Sequence, residues 1–215
     1  MTITYPKRTL KKNINRDKLI RAARLLFSAR GYQNTQLQDI ALEANVHVQT
    51  LYRQFKSKDD LAIAAAKQVI EMCETFFQEA LESQSTFEIW RQYVAFVVGG
   101  LAHLGWSHKR RQLRQPSSMM NDNFLLIVYS GYEDLLTRYL ARDFQLDPKF
   151  NRLPRMVASF LWSSNESCMK RCAGLDTDED VLDDLAALLR ESVSTVEDIE
   201  EIFSSYIQRS LMESC

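Results

Sequence analysis

Apolar residues recur three and four apart almost throughout the chain, and the strict alternation of a half-buried strand is hard to find. That pattern predicts an all-α protein. From Arg16 to Ala29, Leu19, Ile20, Ala23, Leu26 and Phe27 share one helix face, with Asn15 placed as cap and Gly31 placed for a left-handed end. Thr35 is placed to cap a short helix from Gln36 to Ala44, Asn45-Val46 makes a tight turn, and a second short helix runs from about His47 to Phe55. Ser57 caps the next helix, with Asp60 reaching back, and Leu61, Ala65, Val69, Met72, Phe76 and Ala80 keep it apolar on one side as far as Glu82.

Later helices are predicted from Thr86 to about Leu104, and as a short basic segment from Ser107 to Gln115. Pro116-Ser117-Ser118 breaks the pattern, and Asn121 or Asp122 then caps a long helix to Phe144. Beyond Pro148 the spacing predicts a helix from Arg152 to Cys172, an acidic turn from Gly174 to Asp180, and a helix to Arg190. Thr195 is placed as cap of a last helix to Met212. The expected boundary falls near Ser57, dividing a domain of residues 1–57 from one of residues 58–215. No Gly- or Pro-rich linker lies there, so the long helix should couple the two rigidly.

Composition sharpens this picture at one point. The net charge of −1 conceals 12 Lys/Arg against three acids in residues 1–58, a balance of +9, while residues 59–215 carry −10. A basic block on an acidic body suits a polyanion-binding head on a self-soluble domain. No apolar stretch reaches the roughly 20 residues needed to span a bilayer. The basic N-terminus lacks a following apolar run, so a secretory signal and a membrane partner are not expected. Four cysteines without framework spacing then point to reduced thiols in the cytoplasm.

The basic block coincides with a motif. Reading a major groove takes two short helices joined by a tight turn, one bracing the other so that the second projects its first side chains onto base edges. In Thr35–Lys58, the residues Leu37, Ile40, Ala41, Ala44, Val46, Leu51 and Phe55 would form the small core, leaving Val48, Gln49, Thr50, Tyr52, Arg53 and Gln54 for DNA. The residues Phe27-x-x-x-Gly31-Tyr32, Thr35-x-x-x-Asp39-Ile40-Ala41, Ala44-x-Val46, Thr50-Leu51-Tyr52-x-x-Phe55 and Lys58-x-x-Leu61 resemble the N-terminal domain of the TetR family of transcriptional regulators over about residues 16–62. His47 stands where that family usually has a small polar residue and Gln54 where His is frequent, which bears on the operator sequence.

The resemblance implies an N-terminal three-helix helix-turn-helix domain and a C-terminal helical bundle for ligand binding and dimerisation. It implies a phosphate contact for the Thr35 hydroxyl, with Gln36 beside it, and phosphate clamps at Tyr52 and Lys58. Gln49 is the candidate reader of adenine, Thr50 and Val48 the candidates for a thymine methyl. His47, Arg53, Gln54 and Lys56 complete the expected DNA-facing set, and Lys7, Arg8, Lys11 and Lys12 an arm ahead of the first helix.

For the body, the resemblance implies a homodimer and a small-molecule effector pocket. Phe76, Trp90, Tyr93, Phe96, Trp106, Met120, Phe124, Tyr129 and Trp162 are the large side chains placed to line such a pocket, each of them also a candidate for plain core. Met156, Ser159, Phe160, Ser163 and Ser167 form one face of the Arg152–Cys172 helix, suited to a partner copy. Two half-sites on a palindromic operator require such a pair. No metal, cofactor or catalytic constellation is expected: Cys168 and Cys172 share a helix face without a completing ligand, and no nucleophile elbow or phosphate loop occurs. The leading expectation is a repressor released from DNA by a largely apolar effector. A helix-turn-helix architectural protein without small-molecule input is the alternative, and an all-α enzyme or carrier trails both.

Overall fold

The computed structural model describes residues 6–114 and 122–213, with side chains from Leu10 to Arg114 and from Asp122 to Ser204. The described residues form nine helices and no β-strand. In chain order these are α1 (Pro6–Arg30), α2 (Leu37–Glu43), α3 (Val48–Gln54), α4 (Lys58–Glu79), α5 (Thr86–Ala102), α6 (Ser107–Leu113), α7 (Asn123–Phe144), α8 (Leu153–Cys172) and α9 (Leu185–Glu213). Helices α1 to α3 make the head and α4 to α9 the body. One continuous core runs through both, from Leu19, Ile40 and Leu51 in the head to Leu135, Leu140 and Leu161 in the body. A smaller cluster lies around Trp106, Cys168, Cys172 and Leu188.

Two local devices fix how the helices meet. Gly31 ends α1 at φ +77°, a conformation that costs a side chain about 1–2 kcal/mol. A Cβ there would also lie 2.9 Å from Gln112 Nε2, so the glycine lets α6 approach the head. Gly131 plays the same part inside the body, since a Cβ on it would sit 2.2 Å from Ile70 Cδ1 where α7 packs on α4. Two of the expected helix caps form, the first without Asp60 reaching back. Ser57 Oγ accepts from the Asp60 N–H at 3.0 Å, and Asp122 Oδ1 accepts from the Leu125 N–H at 3.0 Å.

Two boundaries depart from expectation. Helix α1 is already formed at Pro6, the first described residue, rather than starting near Arg16, because nothing between Pro6 and Asn15 breaks a helix. Lys7, Arg8, Lys11 and Lys12 therefore belong to its opening turns instead of an extended arm. Thr195 caps nothing: its Oγ1 donates to the Glu191 carbonyl at 2.7 Å, and α9 runs unbroken from Leu185. The expected cap at Asn121 lies outside the described residues, and Asp122 takes that position. No described helix is long and apolar enough to cross a membrane.

Candidate nucleic-acid interface and internal cavity

The turn between α2 and α3 rests on Asn45, which adopts φ +49°, a conformation that Asn tolerates better than most side chains. The Val46 N–H closes back on the Ala41 carbonyl at 2.9 Å, locking the two short helices together. Ile40, Ala41, Ala44, Leu51 and Phe55 are buried between them. The opposite side of α3 carries exposed Gln49, Tyr52 and Arg53, with Thr50 half-buried and accepting from Arg53 NH2 at 3.1 Å. Gln36 at the start of α2 is exposed, as are His47 and Lys56. His47 caps α3: its Nδ1 accepts the Gln49 N–H at 3.3 Å, which leaves Nε2 as the ring's donor.

Four side chains of the expected DNA-facing set are committed elsewhere. Thr35 is fully buried, and its hydroxyl donates to the Gly31 carbonyl at 2.9 Å and the Leu26 carbonyl at 3.3 Å. It seals the end of α1 instead of facing a phosphate, and Gln36 takes the cap position of α2. Val48 packs against the core. Gln54 Nε2 donates to the Lys12 carbonyl at 2.9 Å, which ties α3 to the early turns of α1. Lys58 Nζ sits 4.1 Å from the Tyr32 ring centre, half-buried, and burial lowers its pKa. For Gln54 the cause is the extension of α1, which brings the Lys12 carbonyl alongside α3 where open surface was expected.

Tyr32 is also the hub of the joint between head and body. Its N–H donates to Asp122 Oδ2 at 2.9 Å, and Gln112 Nε2 donates to the same oxygen at 3.3 Å. Its hydroxyl donates to Asp59 Oδ1 at 2.7 Å, which also accepts from Asn123 Nδ2 at 3.0 Å. Burial, then the bond to Asp59, pushes the phenol up to about 12, while the two bonds hold Asp59 below the usual carboxylate range. The joint thus combines α1, α4, α6 and α7.

Directly behind the joint lies a cavity of about 290 Å³. Of the nine side chains expected around a pocket, Trp90, Tyr93, Phe96, Trp106, Phe124 and Trp162 line it. Phe76 stands behind Tyr93 and Phe96, and Tyr129 behind Trp162 at 5.3 Å between ring centres. Met120 lies outside the described residues. Sequence reasoning missed that Arg24, Leu25 and Ser28 of α1 form part of the wall, so the head itself roofs the cavity. They sit beside Ala23, Leu26 and Phe27, whose burial was expected, and the apolar spacing that flagged those residues carries no signal for the flank. Lys109 and Glu166 line it as an ion pair at 3.5 Å, and the Tyr93 and Tyr132 hydroxyls meet at 2.7 Å within it. In the basic run of α6, Arg110 is spent on acids, gripping Asp180 at 2.6 Å and Asp183 at 2.8 Å.

Residues 19–65 match the family described as bacterial regulatory proteins, tetR family. Over those residues the head is similar to that family. The HTH-type transcriptional regulator TcmR of Streptomyces glaucescens is 41% identical over 56 residues, a stretch covering 26% of this chain and 25% of that regulator. That similarity accordingly speaks for the head alone. For the whole fold, a TetR-family regulator structure from Agrobacterium tumefaciens aligns with TM-score 0.55 at 17% identity, over 85% of this chain and 97% of that one. The transcriptional regulator FadR from Bacillus subtilis, solved in complex with stearoyl-CoA, aligns with TM-score 0.51 at 20% identity, over 83% and 98%. The body therefore has the architecture found with TetR-family heads.

Proposed function

We propose that the chain is a cytoplasmic, sequence-specific transcriptional repressor that leaves its operator when a small, largely apolar effector fills the cavity. The observation that carries this reading is the shared wall: α1 belongs to the DNA-reading head and to the cavity at once. A ligand that pushes on Leu25 or Ser28 acts on the head without an intermediate, beyond the route through α4 expected from the missing linker. The aromatic wall suits an apolar body, and the shared fold of a regulator solved with stearoyl-CoA makes an acyl compound the natural first probe.

Within the head, residues 1–57, Gln49 and Thr50 read bases while Tyr52, Arg53 and Lys56 hold phosphates, with Gln36 and the Nε2 of His47 at the flank. Residues 58–215 make the effector and dimer body. Met156 and Phe160 on α8 are each 50% exposed, and Ile202 on α9 is 60% exposed, an apolar face suited to an isologous pair on a palindromic operator.

The test is operator selection from random duplexes with the full chain, followed by titration of fatty acids, fatty alcohols and aromatic acids against the complex. Enriched inverted repeats and DNA release by one of these probes are expected. Gln49→Ala should lose about 1–3 kcal/mol of discrimination at one base pair, whereas Lys56→Ala should weaken all sequences alike and lower the salt slope by about one. Binding that no probe disturbs would favour an architectural protein, and no sequence enrichment would overturn the reading altogether.

A further inference from the structure

We infer that the effector is a hydrophobic carboxylic acid whose carboxylate is held by Arg24. The inference rests on the effector reading above and concerns the polar groups on the cavity wall. Arg24 Nε is buried and makes no hydrogen bond. Its NH1 donates at 3.0 Å to the thioether of Met72, a weak acceptor, and no carboxylate of the described residues pairs with it. Burial lowers its pKa, yet a guanidinium stays charged, so an unpaired cation stands against an apolar wall. The other wall cation, Lys109, already has Glu166.

The unmet groups agree in kind. The indole Nε1 atoms of Trp90 and Trp162, both on this wall, are also buried without partners. Every orphan among the residues of the wall is a donor; the other orphans, Gln68 Oε1 and His108 Nδ1, belong to residues outside it. A carboxylate supplies only acceptors, and its two oxygens match the planar fork of a guanidinium. The remaining wall of Phe96, Phe124, Val97 and Val128 takes the apolar remainder. Because Arg24 lies on α1, pairing it with an acid places the effector's charge on the head itself.

The experiment measures thermal shifts and dissociation constants of the full chain with two matched pairs: decanoate against 1-decanol, and 2-naphthoate against 2-naphthalenemethanol. At least one acid is expected to bind tenfold or more tightly than its alcohol. Arg24→Gln should erase that preference while leaving the alcohol's binding in place, and Arg24→Lys should restore part of it. Equal binding of acid and alcohol to the unmodified chain overturns the inference yet leaves the apolar cavity reading standing, and needs no variant to fold. A preference that survives Arg24→Gln in a folded variant also overturns it. Failure of all four compounds to bind removes the effector reading, and this inference with it.

Discussion

The head and the body bury apolar side chains in similar proportion to their lengths but differ in how they treat polar atoms. In the head, the buried Thr35 hydroxyl seals the end of α1, His47 caps α3, and Gln54 is bonded to the Lys12 carbonyl. The only buried orphan among its described side chains is Arg24 Nε, which faces the body. The body leaves Trp90 Nε1 and Trp162 Nε1 without partners around an open cavity, in a class of groups that folded proteins almost always satisfy. Arg24 apart, the head satisfies its buried polar groups internally, whereas the body leaves indole donors unmet at residues that line the cavity.

That difference is measurable as tolerance. Leu51 is wholly buried at the centre of the head, so Leu51→Ala should cost about 2–5 kcal/mol in urea denaturation and abolish DNA binding with it. Phe96, 53% exposed on the cavity wall, should lose under half as much as Phe96→Ala. Equal costs would mean that the cavity is packed in solution and the contrast between the regions false.

Next in size is the joint between them. Gly31→Ala should cost about 1–2 kcal/mol from backbone strain, plus the displacement of Gln112. In a Gln112→Ala background only the backbone share should remain, so the double-mutant cycle isolates the head–body contact. Additivity would show that α6 does not press on the head.

How far the chain could be read beforehand divides along the same line. The three-helix head, its turn at Asn45 and its small core were legible because capping and apolar spacing act over a few residues, and several such signals agree in register. The roles of Thr35 and Gln54 were not. Gln54 depends on α1 continuing back past Lys12, and neither Leu10 nor Ile14 buries enough surface to announce that extension. Thr35 depends on how the chain folds back on the far end of α1, at the Leu26 and Gly31 carbonyls. In the body, six of the expected large aromatics do reach the cavity, because bulk and helical spacing place side chains inward. Which inward residues touch a void and which merely back it, as Phe76 and Tyr129 do, is a matter of packing between distant helices. Thr195 misled for a different reason: Ser and Thr cap helices readily, but with no Gly or Pro nearby the helix simply continued.

A smaller effect belongs to the long helix that carries the head. Ser57 alone caps α4, so Ser57→Ala should cost about 1 kcal/mol and lower the melting temperature by about 2–4 °C. Its consequence for DNA affinity should exceed that of a comparable loss deep in the body, such as Thr137→Ala, because the first turn of α4 holds Lys58 and Asp59 against Tyr32.

The smallest expected effect concerns acid. Tyr32 and Asn123 both donate to Asp59, and those bonds hold its carboxyl below the usual range near 3.9. A carboxylate depressed in the folded state contributes stability that is full above its unfolded value and fades as pH falls through the folded one. Stability should therefore decline below about pH 4 in part through this joint, with Asp59→Asn flattening that limb and leaving the curve unchanged in shape above about pH 5. Asp59 is exposed, so the change is expected as a small difference in slope, read from urea midpoints taken at half-unit steps. Tyr32→Phe should flatten the same limb, since it removes one of the two bonds that depress the carboxyl. An acid limb unaltered in both variants would leave the link between α4 and the head to packing alone.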